Sequence, residues 1–321
     1  MNKILVLALI LTAAFTVSCE KYSQDPNPDI DNPSYIFFNP SVKSTVESRV
    51  IEENKFPDGT HIGVIGKCSN NQIFTSYPNN IADVYKSSAA GVFVYDKLAQ
   101  WQGADAQHIF YSFYPYSINP DVSINSQDGI PYISYKQPIT VNGMVDILTA
   151  TETTKKCNTV DFEFEHRLWW LNVKIDSKIE KVKVKSVKLT LKNFYSSGTL
   201  KLDGTTVCND EITNGTVYTL HDGSEIEISS GKSYNLKPML FLPISVKEKL
   251  QFKLEIVFAN SDYVYTYPEQ GLNGEEKFAK ANIVFDPGKK YTLSVEKKYA
   301  ELYVNLTKGD WSLLEVNHEF N

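Results

Sequence analysis

The sequence predicts a mostly β chain, arranged as two tandem β-sandwich domains behind an export signal. Three observations predict it. Apolar and polar residues alternate in short runs, Asp-Gly and Asn-Gly pairs punctuate those runs, and a short apolar stretch opens the chain.

Met1-Asn2-Lys3 gives a short positive start, and Ile4 to Phe15 is apolar apart from Thr12. That run falls short of the ~20 apolar residues a membrane-spanning helix needs. Val17 and Ser18 lead into Cys19, so residues 1–18 read as a lipoprotein signal peptide and Cys19 as the lipidated residue. Thr16 stands where a lipobox usually carries Leu, and the alternative is an ordinary secreted protein. Residues 19–34 are polar and proline-bearing, which suits a flexible tether. One acyl chain binds a membrane weakly, whereas two or more anchor it stably.

Beyond the tether, Leu250, Phe252, Leu254, Ile256 and Phe258 alternate cleanly, as do Tyr291-Leu293-Val295 and Leu302-Val304-Leu306. Asp58-Gly59, Asp128-Gly129, Asn142-Gly143, Asp203-Gly204, Asn214-Gly215, Asp222-Gly223 and Asn273-Gly274 mark turns between strands. Helix is expected only as short turns, around Tyr85 to Ala90 or Met144 to Thr149. Phe162, Phe164, His166, Leu168 and Trp170 occupy even positions, after which Leu171, Val173 and Ile175 occupy odd ones. A one-residue slip turns the apolar set to the other face of a sheet. It places the boundary near Trp170, giving an N-terminal domain over 35–170 and a C-terminal one over 171–321. A second slip between Val184 and Val187 predicts a bulge.

The formal charge is −6, and removal of residues 1–18 takes Lys3 away and makes it −7. That acidity disfavours nucleic acid as a partner. Cys68, Cys157 and Cys208 have no C-x-x-C spacing and read as buried small residues, with neither zinc nor a disulfide framework implied. His61, His108, His221 and His318 are scattered, and His166 shares the alternating face of Phe164, which makes it a hydrogen-bonded core residue. Trp170 is assigned to the core and Trp169 to a half-exposed place or the domain junction. Trp169 and Trp101 are the candidates for stacking on a glycan. The Lys181–Lys192 run reads as a solvated strand face. No P-loop or G-x-S-x-G is present, and the reading is non-enzymatic, with no cofactor and no metal. Asn214-Gly-Thr216 and Asn305-Leu-Thr307 match glycosylation acceptors without other support.

Several segments in order resemble the fimbrillin-like lipoproteins, subunits of Bacteroides-type pili. They are Tyr35-Ile-Phe-Phe38 with Ser48-Arg49, Phe56-Pro-Asp-Gly-Thr-His-Ile-Gly-Val64, and Phe110-Tyr-Ser-Phe-Tyr-Pro-Tyr116. Asp146-Ile-Leu-Thr-Ala150, Val160-Asp-Phe-Glu-Phe-Glu-His-Arg-Leu168 and Gly288-Lys-Lys-Tyr-Thr-Leu-Ser-Val295 continue the series. In that family Thr60 would usually be an acid. The looser lipobox also resembles those of the Bacteroides group.

The resemblance implies transthyretin-like sandwiches, a fimbrial or adhesive role and no catalysis. It further implies cleavage between Arg49 and Val50, which removes the first strand and opens a groove for a donor strand. Leu302, Val304 and Leu306, with Trp311 and Leu313-Leu314 behind them, are the expected donor. Arg167, the only other arginine, lies in the Phe162–Trp170 strand and should be protected. The implied partners are other pilin subunits and the outer membrane, with a host glycan or protein as receptor. The alternative is a surface lipoprotein that does not polymerise, acting as tip, anchor or binding module.

Overall fold

The computed structural model describes residues 36–43, 56, 58–68, 81–86, 93–95, 100–103, 105–125, 127–178, 181–259, 263–269, 275–298 and 301–310. Nine strands form its first part: β1 (Phe38–Val42), β2 (His61–Cys68), β3 (Ala82–Lys86), β4 (Phe93–Tyr95), β5 (His108–Tyr114), β6 (Val122–Ile124), β7 (Pro131–Lys136), β8 (Leu148–Thr154) and β9 (Val160–His166). The second part begins with β10 (Trp169–Ser177), β11 (Val182–Lys192), β12 (Phe194–Tyr195), β13 (Ser197–Lys201), β14 (Thr206–Cys208), β15 (Glu211–Ile212) and β16 (Thr216–Ile228). It ends with β17 (Lys232–Asn235), β18 (Met239–Phe241), β19 (Gln251–Phe258), β20 (Val264–Tyr267), β21 (Ala279–Lys280), β22 (Lys289–Lys298) and β23 (Glu301–Asp310).

The expected helical turns fall elsewhere. Among the described residues, 3-10 turns occupy Tyr116–Asp121 and Val141–Gly143. Tyr85 belongs to β3 and Leu148-Thr149 open β8, because each finds a ladder partner that a helical turn would forfeit.

Seven strands of the first part close into a ring, in the order β1-β4-β3-β2-β5-β8-β9, with β9 pairing parallel to β1. The sequence predicted a β-sandwich here; β1, between β4 and β9, closes its strands into the ring. Alternation fills the ring. Phe162 and Phe164 of β9 are buried inside it, while Glu163 and Glu165 stand exposed outside. Phe164→Ala should therefore cost roughly 3–5 kcal/mol, and Glu165→Ala little. Thermal melts that found the two equally damaging would reverse this assignment of faces.

The second part packs two sheets face to face, β17-β10-β22-β23 with β18 beside β10, and β16-β11-β19-β20 with β21 beside β19. The expected bulge is present, since β11 shifts register between Val184 and Ser186 against both neighbours. Of the two causes the slip near Trp170 allows, a bulge or a move from one sheet to another, the structure shows the second. Alternation in β9 stops at His166, and β10 begins at Trp169 in another sheet.

A further sheet, β14-β13-β7-β6, draws two strands from each part. Asp-Gly turns end both of its hairpins, with Gly129 and Gly204 at φ +65° and +98°, where a side chain would be strained. One apolar cluster runs continuously from Ile65, Tyr111 and Phe113 on the outer face of the ring to Trp169, Phe241 and Leu254 in the second part. Within the ring of strands, the Phe113 side chain lies over its cross-strand partner Gly63, where a Cβ would stand 2.1 Å from it. The two parts are thus welded through a shared sheet and a shared core.

Candidate functional site: the first strand and the C-terminal edge

Sequence reading placed the first strand at Tyr35–Phe38, but β1 runs later, from Phe38 to Val42, through Pro40. Hydrogen bonds to β9 use its odd residues: Val160 N–H donates to Phe37 O and Lys43 N–H to Phe164 O, each at 2.8 Å. In a parallel ladder the even residues then turn their N–H groups toward the opposite side. On that side, among the described residues, β4 pairs with β1 at Phe38. Pro40 therefore deprives β9 of nothing, which is how a strand here tolerates it.

Phe38, Pro40 and Val42 point inward and are buried. The Phe38 ring stacks on Phe162 at 5.3 Å and meets Phe110 edge-on at 5.6 Å. On the outside, Asn39 Nδ2 donates to Asp161 Oδ1 at 2.9 Å, Ser41 Oγ to the Phe162 carbonyl at 3.2 Å, and Lys43 Nζ to Glu165 Oε1 at 2.7 Å. The hydrogen bond and charge of Glu165, and then Glu163, hold the Lys43 ammonium above its ordinary pKa. Both partners of that ion pair are about half exposed, so it guides the strand more than it stabilises it.

At the other end of the chain, β23 is the outer strand of its sheet, with all ten residues registered antiparallel to β22. Leu302, Val304 and Leu306 alternate toward the core but are only half-buried. Leu306 joins Leu171, Leu191, Phe252 and Phe285 around a small apolar pocket. Lys289–Asp310 at 2.7 Å and Lys308–Asp286 at 2.6 Å tie the strand at its C-terminal end.

Cys19, Arg49 and Val50 lie outside the described residues, as do Trp311, Leu313 and Leu314. Arg167 lies just beyond β9 rather than within a strand, and it is 3% exposed. Its guanidinium donates to Gly204 O and, at 2.8 Å, to Thr206 Oγ1, and burial lowers its pKa.

His166 is the hydrogen-bonded core residue expected, with Nδ1 at 2.9 Å from Asp146 Oδ2 and both side chains buried. Reading the sequence missed Asp146 as its partner; the signal was an acid at the head of the apolar Asp146–Ala150 run. Trp170 lies in the core as expected, and Trp169 is reassigned. Trp169 is fully buried against Phe241, Phe285 and Tyr291, because it opens the odd-numbered face that fills the second sandwich. Trp170 is also buried, on the opposite face beneath Lys290. Trp101 is half-buried and set edge-on to His108 and Phe110. Trp169 offers no free ring face for a sugar.

The three described cysteines are free thiols, half-buried rather than fully buried. Burial raises the Cys208 pKa. Lys181 and Lys183 pair with Glu227 and Glu225, as a solvated face would. Among the described residues, no group of three or more His, Cys, Asp or Glu could hold a metal.

This β architecture has solved counterparts. The chain is similar to a fimbrial protein from Bacteroides vulgatus, with 18% identity and a TM-score of 0.56 over 86% of this chain and 99% of that one. It is also similar to a protein described as a candidate cell adhesion protein from Bacteroides ovatus, with 14% identity and a TM-score of 0.58 over 86% and 97% of the two chains. A like protein from Bacteroides uniformis gives 15% identity and a TM-score of 0.54 over 86% and 98%. Identities this low establish a common fold and nothing finer. None of the curated proteins compared with the chain matches it. The sequence itself goes further, because residues 48–311 match the family described as fimbrillin-like. That match takes in most of the molecule, and the protein belongs to the fimbrillin-like family.

Proposed function

We propose that this protein is a non-catalytic fimbrial subunit with an adhesive or structural role at the cell surface, assembled by strand exchange after proteolysis. The order of segments is a signal peptide over 1–18, a lipid on Cys19, a tether over 19–34, and transthyretin-like units over 35–170 and 171–321. The observation that carries the reading is the attachment of β1: an apolar strand fills a groove against β9 over five registered residues and, among the described residues, pairs with β4 at Phe38.

Energetics give the sequence of events. Burying a Phe or Val side chain is worth about 1.5–3 kcal/mol, so Phe38 and Val42 hold β1 in place until the chain behind it is cut. Cleavage between Arg49 and Val50 converts β1 from a tethered strand into a separate peptide, which can dissociate and be replaced. The replacement must restore the ladder and fill the groove with alternate side chains. Leu302, Val304 and Leu306 have that spacing; leaving their own sheet gives up half-buried apolar contacts and the ladder to β22, which the groove replaces with a ladder to β9.

Limited trypsin digestion tests the reading, followed by mass and by size. Early cleavage after Arg49, then ladders stable in mild detergent, is the expected result, and Arg49→Ala should slow both steps. Arg167 should stay uncut throughout, because its peptide is locked by Arg167 N–H donating to Ile147 O at 2.8 Å. Clean loss of β1 with a product that stays monomeric at high concentration would refute polymerisation and leave a tip, anchor or binding module.

A further inference from the structure

The resident β1 records what the groove reads. Its inward residues are apolar, and its outward ones answer a row of carboxylates on β9: Asp161, Glu163 and Glu165, all exposed. Glu152 and Asp203 line the same trough and add to its negative charge. Asn39 satisfies Asp161, Ser41 bonds to the β9 backbone and Lys43 neutralises Glu165. A strand that placed another acid opposite this row would be repelled. An amide or a cation is what it accepts.

The pattern of β1 recurs in kind at the other end of the chain. Phe38-Asn39-Pro40-Ser41 and Val304-Asn305-Leu306-Thr307 each run apolar, Asn, apolar, hydroxyl. In both, the first and third residues face inward while the second and fourth are exposed. The hydroxyls already behave alike. Ser41 Oγ donates to the carbonyl of Phe162 at 3.2 Å, and Thr307 Oγ1 to that of Thr292 at 3.4 Å, each on the neighbouring strand.

We infer that Asp161 sets the register of the entering strand by accepting a hydrogen bond from Asn305 of a second copy of this chain, in the place Asn39 now holds. Val304 and Leu306 then occupy the places of Phe38 and Pro40, and Thr307 that of Ser41. The strand runs in the direction of β1. Lys308 gives up its contact with Asp286 and falls at the place of Val42, the last inward position of the groove, where its aliphatic stem covers the groove's end and its ammonium reaches past it to water. The frame alternative puts Leu302, Val304 and Leu306 in the three inward places, which sets Tyr303 against Asp161 and offers that carboxylate a bulkier phenol. The inference rests on the strand-exchange reading above and adds its register and its selectivity.

Single-cysteine additions to the full chain separate the frames. Asp161→Cys protein and Asn305→Cys protein are treated with limiting trypsin, mixed and mildly oxidised; the parent, with its own thiols, sets the background. Crosslinked dimer should exceed that from Asp161→Cys with Tyr303→Cys by about tenfold. A stronger crosslink through Tyr303→Cys, or none through either while ladders form, overturns the register alone. Charge gives an independent reading. Asn305→Asp should slow ladder growth about tenfold, a coupling typical of directly paired groups, and Asp161→Asn in the acceptor should restore it. Growth of Asn305→Asp at the parent rate overturns the role of Asp161. A parent that forms no ladder at any dose overturns strand exchange itself, and this inference with it.

Discussion

Trp169→Ala is expected to lower the unfolding free energy by about 5 kcal/mol, at the top of the range for truncating a buried aromatic residue. The indole is fully buried, with ring centres 4.3 Å from Phe285, 5.0 Å from Phe241 and 5.5 Å from Tyr291. Its N–H donates to Leu242 O at 2.7 Å, so truncation leaves both a cavity and a buried carbonyl without its donor. Neighbouring contacts magnify the loss. Phe241 also meets Phe194 and Tyr218, and Gly288 N–H is bonded to Leu168 O beside the indole. Trp169→Phe keeps most of the packing and loses the hydrogen bond, so it should cost roughly 1–3 kcal/mol. Urea titrations of both variants check this. A Trp169→Ala protein within 1.4 kcal/mol of the parent, a tenfold change in the equilibrium constant, would show that the indole does not hold the core.

The contrast between Trp169 and Phe164 shows what periodicity can report. Phe164 stands in a strand whose other face is wet, so alternation with Glu163 and Glu165 fixed its direction in advance. Trp169 opens a strand buried on both faces at its start, where Trp169, Trp170, Leu171 and Asn172 are all buried. A doubly covered strand has no polar side to reveal its phase. The error at Trp169 follows, since the change of sheet at Arg167-Leu168 looked like a continuation of the even-numbered series. The Val184–Val187 slip was legible for the opposite reason: β11 keeps one exposed face on each side of its bulge.

The candidate site divides in the same way. Alternation found the inward face of β23, because Leu302, Val304 and Leu306 are separated by exposed residues. It missed the true extent of β1, since Asn39-Pro40 reads as a break and only the one-sided pairing makes Pro40 harmless. The shared sheet of β6, β7, β13 and β14 was beyond reach altogether. Its strands are short, and Ser197 pairs with Lys136 across a sequence gap that no local pattern spans. What that sheet does is clear from its position: it keeps the acceptor strand β9 and the second part of the molecule from moving independently. A fibre assembled through these edges would pass load from one groove to the next through a continuous core.

Cys19→Ala is expected to abolish metabolic labelling with a radioactive fatty acid and leave the protein soluble or uncleaved. The argument lies in the first nineteen residues: a lysine, an apolar run ending at Phe15, small residues, then a cysteine followed by a polar stretch rich in proline. Each buried CH₂ of an acyl chain adds about 0.8 kcal/mol, and anchoring becomes stable only when a second chain is present. The effect should therefore be all or nothing, because the substitution removes the thiol proposed to carry the lipid. Cys68→Ala, Cys157→Ala and Cys208→Ala serve as controls; their thiols are half-buried in the folded chain and should leave labelling unchanged. Full labelling of the Cys19→Ala protein would refute the lipid anchor, and would leave Arg49 cleavage without a membrane from which to release the subunit.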